Sequence, residues 1–147
     1  MRILFDTSFL VGLDRKKESC VDFMKKFTND KNEFFISIIS VTEILTGAYL
    51  QDKEKQKQKL NTAKELLMQF NWIDYDGEIA DRGAKIIAQR IRTGNIVDFQ
   101  DNIILSTFTV NNFDYLVTTN KKHFNLRKNK IISPEELIAE NEQNRTA

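Results

Sequence analysis

The chain has 147 residues, with 22 Lys and Arg against 21 Asp and Glu, a net charge of +1, and 41% hydrophobic residues. These values fit one globular domain spanning 1–147 and exclude collagen-like, disordered and mucin-like chains. They also exclude a polycation that holds nucleic acid by bulk charge, so only a local basic patch remains available for that purpose.

Arg2-Ile3-Leu4-Phe5 reads as a buried strand that ends at Asp6. Asp6 splits the apolar N-terminal run, and Asp14-Arg15-Lys16-Lys17 stands where a small-residue cleavage site would fall, so neither a signal peptide nor a membrane span is expected. Cys20 is the lone cysteine and has no internal partner, which fits a reducing, cytoplasmic setting. A second strand is predicted over Phe34 to Ile38, followed by Ser40-Val41-Thr42-Glu43 in the first turn of a helix. The charged, glutamine-rich stretch from Asp52 to Lys59 reads as the solvated start of a long helix, with Leu60, Ala63, Leu67 and Phe70 on its apolar face. Lys53, Lys55, Lys57 and Lys59 stand two apart, which scatters them around a helix rather than aligning them in one stripe. Trp72-Ile73-Asp74 is a further, shorter candidate strand, and Ala80, Ala84, Ile87 and Ile91 mark another helical face. Asp98 and Asp101 open the helical stretch leading to Phe108. Tyr115 to Thr118 is a strand followed directly by Asn120, and Lys130-Ile131-Ile132 is the last short strand. Ser133-Pro134-Glu135-Glu136 then combines an N-cap serine, a proline at the first helical position and a capping-box glutamate, and the polar segment 141–147 beyond that short helix is expected to fray.

Strands alternating with helices predict an α/β fold: a three-layer α/β/α sandwich around a mainly parallel sheet of 4–5 strands, built with right-handed crossovers. In such sheets the strand C-termini and the N-termini of the returning helices share one edge, where ligands bind. Asp6, Glu43, Asp98, Asp101 and Asn120 all fall on that edge. There is no glycine-rich phosphate loop, no nucleophile-elbow serine and no Cys/His cluster for zinc, and His123 is the single histidine.

Acids gathered on one rim repel each other unless a cation sits among them. With only oxygen donors, Mg²⁺ or Mn²⁺ suits the set better than zinc. Such an ion activates water for attack on a phosphodiester, and helix N-termini on the same rim favour an anionic phosphate. A plainer reading stands beside this one. Asp6 fits an N-cap, Ser40-x-x-Glu43 a capping box, and Asp98-x-x-Asp101 ordinary acid placement at a helix start.

Four stretches carry a likeness to a known family. They are Ile3-Leu4-Phe5-Asp6-Thr7-Ser8, then Ser37-Ile38-Ile39-Ser40-Val41-Thr42-Glu43-Ile44 with Gly47, then Val97-Asp98-Phe99-Gln100-Asp101-Asn102-Ile103-Ile104, and last Leu116-Val117-Thr118-Thr119-Asn120-Lys121-Lys122-His123-Phe124. In order and spacing they resemble a PIN domain, specifically the VapC-like ribonuclease toxins of toxin–antitoxin pairs. The resemblance implies a Mg²⁺- or Mn²⁺-dependent endoribonuclease that leaves a 5′-phosphate and a 3′-hydroxyl. Its metal-holding acids would be Asp6, Glu43 and Asp101, with Asn120 at the fourth catalytic position and Asp98 as an accessory acid. Thr7 or Ser8 would assist beside Asp6, and Thr118 would support the fourth position. It further implies an RNA substrate, a homodimer and a VapB-type antitoxin that covers the acidic rim.

The chain departs from the family pattern at two places. Leu105 and Ser106 replace two small residues, so the helix–sheet contact needs more room there. Asn120 carries no charge where the family often has Asp, which predicts one metal ion rather than two. The cluster Lys121, Lys122, His123, Arg127, Lys128 and Lys130 is read either as a draw for RNA phosphates or as a solvated loop. His123 is assigned a structural hydrogen-bonding role, and Phe124 a place in the core. Leu45, Tyr49, Leu50, Leu60, Leu67 and Met68 are read as core packing rather than as an exposed interface. The rival functions are an RNA-processing PIN nuclease without an antitoxin, and a non-catalytic α/β binding module whose acids cap helices. A phosphatase of the D-x-D type is disfavoured because Ser8 stands where the second acid belongs.

Overall fold

The computed structural model describes residues 1–29, 31–124 and 130–147. Five strands, β1 (Arg2–Phe5), β2 (Glu33–Ser37), β3 (Asn71–Ile73), β4 (Tyr115–Val117) and β5 (Ile131–Ile132), form one sheet in the order β3-β2-β1-β4-β5. Every pairing is parallel. The central strand is apolar on both faces because both are covered, and Ile3, Leu4 and Phe5 are fully buried. Alternation divides the strand residues between two cores. Ile3, Phe5, Phe34 and Ile36 point to one, Leu4 and Phe35 to the other.

The first core is closed by α1 (Thr7–Asp14), α2 (Glu18–Phe27), α3 (Ile38–Tyr49), α4 (Lys53–Leu67) and α7 (Pro134–Thr146). It is dominated by phenylalanines. Phe5 meets Phe9, Phe23, Phe34 and Phe70 at ring-centroid distances of 4.4 to 5.6 Å, mostly edge to face. The second core lies under α5 (Gly77–Arg92) and α6 (Phe99–Val110), with Ile86, Ile104, Leu105 and Phe108 against Leu4, Phe35 and Leu116. The result is the expected α/β/α layering. Leu105 finds its room there, fully buried. The close approach of α5 to α6 is made at Gly83, where a Cβ would stand 2.9 Å from Ile103 Cδ1, and Ser106 donates across the same contact to Ile79 O at 2.6 Å.

Several local expectations are corrected. The second strand ends at Ser37, which caps α3 through its hydroxyl, so Ser40-x-x-Glu43 is not a capping box. The buried face of α5 is Ile79, Gly83, Ile86 and Arg90, and Ile91 is exposed. Tyr49, Leu50 and Met68 are exposed, whereas Leu67 is core. The capping box at Ser133 forms as expected, but α7 continues through 141–146 instead of fraying. Among the described residues, no helix is long and apolar enough to cross a membrane.

Strand order reverses between β1 and β4: the chain leaves β1 toward β2 and β3, then returns to β4 on the other side. A crevice forms outside the strand C-termini at such a switch point. Asp6 leaves β1 there, and Thr118 to Asn120 leave β4 beside it.

Candidate functional site

Asp6 is 3% exposed. Its Oδ1 accepts from the Phe9 amide at 3.0 Å, capping α1, and from the Ser8 hydroxyl at 2.7 Å. Its Oδ2 accepts from the Thr118 hydroxyl at 2.6 Å. Those hydroxyls in turn accept backbone amides: Thr119 N donates to Ser8 Oγ at 3.1 Å and Asn120 N to Thr118 Oγ1 at 2.9 Å. Two amides of the loop after β4 are thus tied through hydroxyls to one carboxylate of the loop after β1, so the two sides of the crevice are held in register. The capping reading of Asp6 is therefore true, and it coexists with a place on the rim.

Glu43 lies in the second turn of α3, where the Thr7 hydroxyl donates to its Oε1 at 2.7 Å and lies 2.9 Å from Ser40 Oγ. Asp98 occupies the N-cap position of α6 but caps no amide with its side chain. One turn on, Asp101 Oδ2 stands 2.7 Å from His123 Nδ1. His123 belongs to the short 3₁₀ turn Lys121–His123, and Asn120 Nδ2 lies 3.3 Å from its Nε2. Arg90, buried in α5, donates from Nη2 to the His123 carbonyl at 3.0 Å and so anchors that turn from below.

Asp6, Glu43, Asp98, Asp101, Asn120 and His123 line one cavity of about 600 Å³ together with Thr7, Ser8, Arg15 and Lys17. All five rim residues anticipated from the sequence are brought together. Glu43 has no capping role, whereas Asp98 and Asp101 do stand at a helix start as the plainer reading expected, Asp98 at the N-cap position without capping an amide and Asp101 in the first turn. Three of the carboxyls also resist ionisation, those of Asp6, Glu43 and Asp101. Burial raises Asp6 from 3.8 to about 6, with its hydroxyl and amide donors opposing and Asp101 adding repulsion. Burial likewise raises Glu43, opposed by the Thr7 hydroxyl and reinforced by Asp101 and Asp98. Asp101 is raised by burial against the opposing pull of His123. Among the described residues, no three His, Cys, Asp or Glu side chains converge as a ready metal cage. The acids turn instead to their own partners, Asp6 to Ser8 and Thr118, Glu43 to Thr7, Asp101 to His123.

Sequence reading missed Arg90, whose buried position inside an amphipathic helix carries no special signal, and Ser40, taken for a cap. It also missed Arg15 and Lys17, hidden in a four-residue charged run. Of the basic cluster, Lys121 is paired with Glu136 at 2.9 Å, Lys122 is exposed, and Arg127 and Lys128 lie outside the described residues. Phe124 is core, as expected, at 3% exposure.

A parallel α/β sandwich with an acid-lined crevice at its strand switch point is the class that fold and site define. The family model described as PIN domain matches residues 3–129, and the chain belongs to that family. Its fold is similar to that of a DNA-bound VapBC from Salmonella typhimurium, with a TM-score of 0.77 at 20% identity, covering 91% of this chain and 98% of the other. It is similar also to VapBC-1 from nontypeable Haemophilus influenzae, with a TM-score of 0.77 at 16% identity over 92% and 100% of the two chains. A toxin–antitoxin complex from Klebsiella pneumoniae aligns at 26% identity with a TM-score of 0.68 over 91% and 98%. In comparison with curated proteins, nothing matches.

Proposed function

We propose that this chain is a divalent-metal-dependent endoribonuclease, the toxin of a VapBC-type toxin–antitoxin pair acting in the cytoplasm. One observation carries the reading. Four acids from three separate segments line a single cavity, and three of them are held away from easy ionisation by burial and by each other. A hard cation relieves that penalty, and the donor set of carboxylate and amide oxygens fits Mg²⁺ or Mn²⁺.

Asp6, Glu43 and Asp101 would hold the ion, with Asp98 as a further acid and Asn120 as a neutral oxygen donor. When bound, the ion supplies an activated water and offsets charge on the phosphodiester. The chain's own residues set the geometry. Ser8 and Thr118 fix the Asp6 carboxylate, Thr7 fixes Glu43, and Arg90 fixes the turn that carries His123. His123 pairs with Asp101 and is a positioning residue, which keeps the structural role assigned from the sequence. One ion is favoured over two because Asn120 adds no charge. An RNA substrate and a homodimer rest on the family resemblance alone, and a VapB-type antitoxin is supported also by the VapBC complexes to whose fold this chain is similar.

The test is cleavage of end-labelled RNA with Mn²⁺ by the wild type, Glu43→Gln and Asp101→Asn, with the product ends mapped. Cleavage by the wild type alone, stopped by EDTA and leaving 5′-phosphates, is expected. Equal cleavage by Asp101→Asn, or cleavage that persists in EDTA, would overturn the assignment.

A further inference from the structure

Acids that gather a metal also repel the strand to be cut, so the cavity needs cations of its own. The cluster favoured by sequence is poorly placed to supply them, since Lys121 donates both its close contacts to Glu136, at 2.9 and 3.0 Å. Two other cations line the acidic cavity itself, Arg15 and Lys17. They flank Lys16 in the three-residue connection between α1 and α2, and among the described residues neither forms an ion pair.

That connection is tightly built. Arg15 N donates to Val11 O at 3.0 Å, Lys16 N to Leu13 O at 3.0 Å and Lys17 N to Gly12 O at 2.8 Å, while Lys16 takes a left-handed φ of 56°. Its backbone is anchored to α1, whose first turn carries the Asp6 cap. Arg15 also borders a neighbouring groove with Glu43 and Lys59, and Lys17 borders another with Lys26 and Glu135. Arg15 and Glu43 thus line both the acidic cavity and the first groove, and Lys17 lines both the cavity and the second, so a cation stands where each groove borders the cavity.

Resting on the nuclease reading, we infer that Arg15 and Lys17 bind the backbone phosphates on either side of the scissile one, so that a single strand crosses the acids from one groove to the other. A phosphodiester strand suits this arrangement because it carries charge at every residue. Guanidinium suits a phosphate fork and ammonium a point contact.

The test uses fluorescence anisotropy of a labelled oligouridylate in EDTA over a KCl series, with wild type, Arg15→Gln, Lys17→Gln and the double variant. For a single strand, removing one phosphate-binding cation should flatten the slope of log Kobs against log[KCl] by about 0.7, and removing both by about 1.4. Lys85→Gln, which removes an equal charge from an exposed pair on α5, should leave the slope unchanged. Slopes unaltered in the double variant, while the wild type still binds and cleaves RNA, would overturn the inference and leave the nuclease reading standing. A wild type that neither binds nor cleaves RNA would overturn both. Unaltered RNA slopes with lost binding of polyglutamate would overturn it in favour of an acidic protein partner.

Discussion

Replacing Asp6 by Asn should make the protein more stable at neutral pH. Its carboxyl rises from 3.8 to about 6 on folding. At about 1.4 kcal/mol for each tenfold change in proton affinity, holding it ionised costs the folded state on the order of 3 kcal/mol. Asparagine removes the charge but aims an amide NH₂ toward one of the donors that now serve the carboxylate, Ser8, Thr118 and Phe9 N, losing roughly 1–2 kcal/mol. The net gain is about 1–2 kcal/mol, a rise of roughly 2–8 °C in Tm for a chain of this size. The pH dependence has a definite sign. A carboxyl raised on folding binds its proton more tightly in the native state, so wild-type stability falls as pH rises from 3.8 to about 6, and the penalty is complete above that window. The advantage of Asp6→Asn should therefore be full at neutral pH and absent below 3.8. Mn²⁺ should raise the wild-type Tm and leave that of the variant unmoved. Thermal melts at both pH values with and without Mn²⁺ decide it. A variant less stable than wild type at neutral pH, or a difference independent of pH, would refute the reasoning.

Thr118→Val removes a donor from Asp6 and strands the Asn120 amide, so it should cost about 2–3 kcal/mol in urea denaturation. The loss should be larger at neutral pH, where the carboxylate is ionised, than under acid. At Gly12 a Cβ would meet Cys20 Sγ at 2.6 Å, so Gly12→Ala should destabilise by roughly 1–3 kcal/mol less the ~1 kcal/mol that alanine gains in a helix. Cys20→Ala opens that space, and the double variant should be more stable than the sum of the single effects by about 1–2 kcal/mol in a denaturation cycle.

Much of the molecule was readable because its signals are physically redundant. Ile3-Leu4-Phe5 has to be a central strand, since an apolar run so short is stable only between two covered faces, and an acid directly after it has to lie at the sheet's ligand edge. The rim therefore emerged from the spacing of Asp6, Glu43, Asp98, Asp101 and Asn120. Local competition obscured other features. Helix α5 offers two apolar stripes, and the more hydrophobic one lost because close packing against α6 requires Gly83, while Arg90 is needed beneath His123. Ser40-x-x-Glu43 matched a cap by residue type, yet the helix starts earlier because Ser37 caps it, which frees Ser40 to pack against Thr7. Arg15 and Lys17 stayed hidden because a charge run ordinarily means a solvated turn, and only the three-dimensional turn aims its members at a cavity. Strand order is a matter of long-range pairing and leaves little trace in local pattern.

The central claim is that the acidic crevice is a metal site, and titration calorimetry with Mn²⁺ on the wild type and Asp101→Asn tests it without needing to know the RNA. Saturable heat in the wild type, fitting one equivalent and abolished in Asp101→Asn, is the predicted result. Equal binding by both proteins, or no binding by either, would contradict it, and two tight equivalents in the wild type would contradict the one-ion assignment.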